Sequence, residues 1–208
     1  MLESKAIEYP SPQRLYDEMM GNSWDYKRDR ESYLTRDRAF LSILYLLACR
    51  TSEALRLTKG HFTIEESNVI IKPFLLSKSK RLGVPRKNQS REGYLPLTGE
   101  RNMFTDLVLK YLDTIKDEDT LLFTFTRHRA WEIALSTIPT YCDHWLRAFG
   151  EDYLYDTSGF DLVAVADYVK VDPLTLSKYL RSRWKRIAKM ESRQPPQESS
   201  ESEKHGVL

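Results

Sequence analysis

Cysteine is scarce in this chain, with only Cys49 and Cys142 among 208 residues. Each lies in an apolar, helix-like context, and the two do not have the spacing of metal ligands. His61, His128 and His205 likewise show no ligand spacing with one another or with a cysteine, so a zinc site is not expected. We therefore predict two small core thiols rather than a disulfide, as in a reducing cytoplasm.

Long apolar runs and glycine-rich phosphate loops are also missing. No stretch approaches the roughly 18 consecutive apolar residues of a membrane span, and the N-terminus has no signal-peptide pattern. The absence of a phosphate-cradling glycine loop argues against a nucleotide hydrolase. What the chain does have is 41% apolar residues, enough to fill the core of one domain.

Residue patterning predicts a mainly α-helical α+β domain. Pro12 suits the first position of a short helix after Ser11. Thr35 is predicted to cap a helix that is apolar on most sides and therefore buried, and a second helix is predicted near Thr51. Branched and aromatic residues predict three short strands, at 62–64, 69–77 and 93–97, with helices from about residue 126 to residue 189.

The composition of the two ends sets the expected domain boundaries. Residues 1–34 are polar and mixed in charge, and residues 191–208 contain almost nothing to bury. We predict an N-terminal polar extension with a short helix at 1–34, a domain at 35–190 and a disordered tail at 191–208.

An ordered set of motifs carries the functional signal. Arg50-Thr-Ser-Glu53-Ala-Leu-Arg-Leu57 follows the apolar helix and opens the next one. Downstream stand His144-Trp-Leu-Arg147 and then Tyr179, nine positions after Lys170. Over roughly residues 35–189 this set resembles the tyrosine recombinases (phage-type integrases), whose motifs include Arg-x-x-Glu-Leu-x-x-Leu and His-x-x-Arg. We expect an archaeal or viral-type variant of that family, with the family's catalytic-domain fold and small three-stranded antiparallel sheet.

The resemblance implies a DNA strand transferase that needs neither metal nor cofactor. Arg50 and Arg147 suit the stabilisation of a phosphorane, because a guanidinium donates bidentate hydrogen bonds to phosphate and keeps its charge. His144, three residues from Arg147, shares one helix face with it and can bind the phosphorane or take a proton. Tyr179 is the expected nucleophile, giving a 3′-phosphotyrosine and a free 5′-hydroxyl.

Two expected roles fall to lysines. The family's general acid comes from the tip of the hairpin after Arg50, and we assign it to Lys78. Lys80 stays an alternative, because both side chains point the same way on an extended segment. Lys170 occupies the place where the family usually has His or Trp. It either donates to a phosphate oxygen or is a solvated cation at a helix C-terminus.

Basic residues form two blocks in a protein whose formal net charge is only +2. Residues 72–91 contain seven basic residues and no acidic one, and residues 178–189 contain six and none. Solvated surfaces can also carry such blocks. Because these blocks flank the candidate catalytic residues, we predict that they bind double-stranded DNA. The predicted contacts, in addition to the catalytic set, are Lys72, Lys80, Arg81, Arg86, Lys87, Arg91, Arg183 and Arg186.

The resemblance also sets expectations about assembly and leaves alternatives. We expect a monomer when free and a homo-tetramer on DNA, cytoplasmic and nucleoid-associated, with no membrane contact. Residues 1–34 are too few for the family's N-terminal DNA-clamping domain, so the chain is either a minimal enzyme or a fragment. Leu47-Ala48 replace the usual Thr-Gly before the first arginine. With Lys170, this keeps open a catalytically silent DNA-binding relative, and a type IB topoisomerase-like strand transferase remains a chemical alternative.

Overall fold

The computed structural model describes residues 9–76, 90–141, 143–177 and 180 of the chain. Eight α-helices and three strands follow one another in this part, with a short 3-10 helix at Lys59–His61 before the first strand. They are α1 (Pro12–Gly21), α2 (Arg30–Leu46), α3 (Thr51–Ala54), β1 (Phe62–Glu65), β2 (Asn68–Leu75), β3 (Ser90–Pro96), α4 (Asn102–Leu112), α5 (Arg127–Thr137), α6 (Asp143–Thr157), α7 (Leu162–Val169) and α8 (Pro173–Ser177). This confirms the predicted mainly helical α+β class.

Helix α2 lies at the centre of the fold. Every residue from Ala39 to Leu46 is buried, as expected for a helix that is apolar on most sides. It packs against α4, α6 and α3. The predicted start at Thr35 is wrong, because the helix begins at Arg30 and the Thr35 hydroxyl donates to the Glu31 carbonyl at 2.9 Å instead of capping.

Helix α1 is part of the domain rather than of a separate extension. The predicted start at Pro12 is confirmed, and the Ser11 hydroxyl caps the helix by accepting a hydrogen bond from the Arg14 amide at 3.3 Å. Leu15 and Met19 are buried in the main hydrophobic core, and α1 packs against α5. The proposed boundary between residues 34 and 35 therefore falls inside one packed unit.

The three predicted strands form an antiparallel sheet in the order β1-β2-β3. Val69 pairs with Ile64 on one side and Leu95 on the other, and the pairing of β2 with β3 is irregular between Ile71 and Phe74. Alternation turns Val69, Ile71 and Leu95 into the core. The connection between β2 and β3, residues 77–89, lies outside the described residues.

A glycine sets the contact between α6 and α2. A β-carbon on Gly150 would lie 2.2 Å from the carbonyl oxygen of Tyr45, so only glycine fits this crossing. Close backbone approach fixes α6 firmly on the central helix. One turn further along α6, Leu154 joins a second small core with residues of α7 and α8, including Val165 and Leu176. In the described part of the chain, no helix is long and apolar enough to cross a membrane.

Candidate active site

Arg50 stands at the turn between α2 and α3. Ala48 has a left-handed backbone (φ 46°), and Arg50 is extended at the N-cap of α3. Glu53 holds Arg50 twice, because one carboxylate oxygen accepts from the Arg50 amide at 2.9 Å and the other from its Nη1 at 2.9 Å. Glu53 is only 1% exposed, whereas the Arg50 side chain is 32% exposed. Glu53 thus holds the Arg50 guanidinium on one side, and the other side is accessible to solvent.

The same contacts set the charge state of Glu53. Burial alone would raise the pKa of its carboxyl, but the hydrogen bonds from the Arg50 amide and guanidinium, with the charges of Arg50 and Arg147, lower that pKa below its ordinary value. Glu53 is therefore an anion near neutral pH, and it holds its partner as a charged pair.

Helix α6 supplies His144 and Arg147 from one face, as their spacing predicts. Arg147 is 8% exposed, and its Nε donates to Oε1 of the buried Glu151 at 2.7 Å. In the first turn of α6, Asp143 accepts a hydrogen bond from the Thr51 hydroxyl at 2.5 Å. That bond ties α6 to α3 and so brings the two predicted motifs together.

Arg50, His144 and Arg147 line one cavity of about 370 Å³. Its walls come from residues 49–52, from the first residue of α5, from α6 between residues 143 and 151, and from Val171 and Thr175. Cys49 also faces this cavity, but burial, assisted by the Glu53 charge, raises the pKa of its thiol to about 12. The thiol is protonated and is not a candidate nucleophile.

Lys170 has the position of the second of its two expected roles, a cation at a helix C-terminus. It caps the C-terminus of α7 with a left-handed backbone (φ 53°), and its ammonium pairs with Asp167 at 3.1 Å. Lys170 lines a separate depression beside β3, whereas Val171 lines the cavity. Among the described residues, the cavity lining therefore includes Val171 but not Lys170.

Arg91 is a correction to the predicted DNA contacts. Its guanidinium is buried, donates to the carbonyl of Leu47 at the end of α2, and lies 5.0 Å from the Phe74 ring centroid and 5.2 Å from that of Tyr168. It therefore stabilises the packing of the sheet on α2 and α7 rather than offering charge to a ligand. Lys72, by contrast, is exposed on β2.

The other predicted site residues lie outside the described residues. They are the expected nucleophile and general acid together with most of the predicted DNA contacts: Tyr179, Lys78, Lys80, Arg81, Arg86, Lys87, Arg183 and Arg186.

Several cavity residues were missed from the sequence. Glu151 could have been found, because an arginine and a glutamate four residues apart on a helix face each other. Arg127, at the first position of α5, carries no comparable local signal, nor does the bond between Thr51 and Asp143. Among the described residues, no group of three potential ligands is placed to hold a metal ion.

Comparison with known sequences gives no match, either among protein-family models or among curated proteins. Comparison with solved structures does. The XerH site-specific recombinase in a post-cleavage complex with palindromic difH substrate aligns with a TM-score of 0.63 at 18% identity, over 87% of this chain and 50% of XerH. The chain therefore spans about half the length of that protein.

Two further structures agree. The XerA recombinase aligns with a TM-score of 0.58 at 15% identity, over 94% of this chain and 67% of XerA. A fragment of the Tn1549 transposon integrase (residues 82–397), in complex with a circular intermediate DNA, aligns with a TM-score of 0.53 at 14% identity, over 92% of this chain and 68% of that fragment. The mainly helical fold with its small antiparallel sheet is that of the tyrosine recombinase catalytic domain.

Proposed function

We propose that this chain is the catalytic part of a site-specific tyrosine recombinase, which cleaves and rejoins DNA through a 3′-phosphotyrosine intermediate. One observation carries the proposal. Arg50, His144 and Arg147, predicted from motifs nearly a hundred residues apart, line one cavity on a recombinase fold.

The cavity suits a phosphodiester in transition. The two guanidinium groups, oriented by the buried carboxylates of Glu53 and Glu151, are preorganised donors for the negative charge of a phosphorane. Because the carboxylates hold the arginines before substrate arrives, the arginines need not reorganise during the reaction.

In the proposed step, the Tyr179 oxygen attacks phosphorus, a new O–P bond forms, and the bond from phosphorus to the 5′-oxygen breaks. His144 takes the tyrosine proton or binds the phosphorane, and Lys78 protonates the departing oxygen. Thr175 lines the cavity, so the chain contacts the cavity four residues before the proposed nucleophile. The reverse sequence, with a new 5′-hydroxyl, rejoins the strand.

A catalytically silent DNA-binding relative is the second candidate, because Lys170 does not line the cavity and Leu47-Ala48 replace the family's usual Thr-Gly. Trapping on nicked suicide duplexes with randomised sequence separates the two candidates. An active recombinase forms a denaturant-resistant protein–DNA adduct, and Arg50→Ala or Arg147→Ala slows adduct formation about 10²–10³-fold. If the protein binds DNA in a salt-dependent way but forms no adduct, it is the catalytically silent relative.

The identity of the general acid has its own test. A substrate with sulfur in place of the leaving 5′-oxygen needs no proton, so it should restore cleavage to Lys78→Ala but not to Arg50→Ala. If the sulfur substrate restores cleavage to Lys80→Ala instead, then Lys80 is the general acid.

We further propose that double-stranded DNA assembles four copies, that the free protein is a monomer, and that it works in the cytoplasm on nucleoid DNA. Exposed Lys72, with the predicted basic residues beyond the described part of the chain, would bind the phosphate backbone. Sedimentation with and without the trapped duplex checks the assembly, and a stable tetramer without DNA would contradict it.

A further inference from the structure

The charges around the cavity do not favour an anion if only the two predicted arginines are counted. Arg50 pairs with Glu53 at 2.9 Å and Arg147 with Glu151 at 2.7 Å, so each positive charge faces a buried negative one. Asp143 adds another carboxylate to the lining. Two positive against three negative charges leave one net negative charge when His144 is neutral. A DNA phosphate brings a further negative charge, so this set alone would repel it.

Arg127 changes that balance. It lines the same cavity from the first position of α5 and is exposed. Among the described residues, none forms an ion pair or a hydrogen bond with its guanidinium. Arg129, two residues further on, differs, because it lies 3.9 Å above the Trp24 ring and pairs with Glu132 at 3.1 Å. Arg127 thus brings to the cavity a positive charge that no carboxylate of the described residues pairs with.

A purely structural role does not explain this arginine. The N-terminus of a helix carries a partial positive charge, so a cation in the first turn disfavours folding slightly, whereas an acidic residue would favour it. The first turn of α5 contains no acidic residue. The positive charge of Arg127 therefore does not stabilise α5, and it lies at the cavity.

We propose that Arg127 is a third phosphate-binding arginine, whose guanidinium binds non-bridging oxygens of the DNA phosphate that enters this cavity. This inference rests on the proposed function, since it takes DNA as the ligand. Arg127 cancels the net negative charge that the paired arginines and the three carboxylates leave, while Arg50 and Arg147 supply fixed geometry. Its contribution is therefore to DNA affinity and positioning rather than to proton transfer.

The test measures binding of a short fluorescent duplex of random sequence by anisotropy over a range of KCl concentrations. Arg127→Ala should weaken binding about tenfold and lower the salt slope by about one, since one phosphate contact is lost. Arg127→Lys should recover part of the affinity, because it keeps the charge without the planar fork. Arg127→Glu should bind more weakly than Arg127→Ala while melting at the same or a higher temperature.

Lys110→Gln is the matched control, because it removes one positive charge from an exposed side chain on α4 that does not line the cavity. If Arg127→Ala and Lys110→Gln change affinity and salt slope equally, the inference is wrong. Adduct trapping in parallel separates the two proposals. A wild-type adduct with no effect of Arg127→Ala on binding overturns the inference alone. Loss of binding in Arg127→Ala without any wild-type adduct overturns the proposed chemistry but keeps Arg127 as a DNA contact.

Discussion

Neutralising Glu53 should both destabilise the domain and release Arg50. The change is Glu53→Gln, which keeps the size of the side chain but replaces one acceptor oxygen with a donor amide. In the native protein the two carboxylate oxygens accept from the Arg50 amide and guanidinium, each at 2.9 Å. The amide side chain can satisfy only one of these donors and carries no charge.

The magnitude follows from the burial of the two partners. Removing one member of a fully buried pair typically costs about 3–5 kcal/mol. Here the carboxylate is buried but the Arg50 side chain is 32% exposed, so water can solvate the cation that remains. Loss of a charged hydrogen bond, about 1.5–3 kcal/mol, is then the better measure, and we expect Glu53→Gln to lower the free energy of unfolding by about 2 kcal/mol.

The stability difference between wild type and Glu53→Gln should depend on pH. The pKa of Glu53 is lowered in the folded protein, so its charge stabilises the fold above the ordinary glutamate pKa of about 4.3. That stabilisation is lost as the pH falls through the lowered value. The difference between wild type and Glu53→Gln should therefore be largest near neutral pH and shrink in acid.

Urea unfolding followed by circular dichroism measures this difference at neutral and acidic pH. Glu65→Gln, which neutralises an exposed glutamate on β1, is the control and should change stability by less than about 0.5 kcal/mol. If Glu53→Gln is as stable as this control at neutral pH, or if its deficit does not shrink in acid, the charged clamp on Arg50 does not exist as described.

Two further predictions concern the surroundings of the site. Gly150→Ala places a β-carbon 2.2 Å from the Tyr45 carbonyl oxygen, so α6 must move away from α2. Thermal unfolding should show that the free energy of unfolding falls by about 1–3 kcal/mol. Gly21→Ala is the control and should be nearly neutral, because no atom lies within 4 Å of the new carbon. The pKa of the Cys49 thiol is raised to about 12, so iodoacetamide at about pH 8 should leave Cys49 unlabelled in the folded protein and label it after denaturation. A Cys49 adduct in peptide mass spectra of the native protein would contradict its burial.

Local relationships made part of the site predictable. Arg50 and Glu53 are three residues apart at a helix start, and His144 and Arg147 are three apart within a helix, so sequence spacing alone puts each pair together. The apolar character of α2 likewise predicted its burial. These inferences need no knowledge of how distant segments pack.

The sequence was least informative about residues whose position depends on tertiary contacts. Arg91 looks like part of a basic loop, but Phe74, Tyr168 and the Leu47 carbonyl enclose it. For Lys170 the sequence left two roles open, and the left-handed C-cap of α7, where glycine or asparagine is usual, is what puts it outside the cavity lining. Arg127 reaches the site only because α5 packs against α3 and α6.

The most direct test of the central claim is the identity of the nucleophile. Wild-type protein trapped on the randomised suicide duplexes should yield, after protease and nuclease digestion, one nucleotide-bearing peptide with the modification on Tyr179. Tyr179→Phe should bind the same duplexes with unchanged affinity and give no adduct, because it lacks only the hydroxyl. An adduct on another residue, or an adduct that persists in Tyr179→Phe, would contradict the proposed tyrosine chemistry.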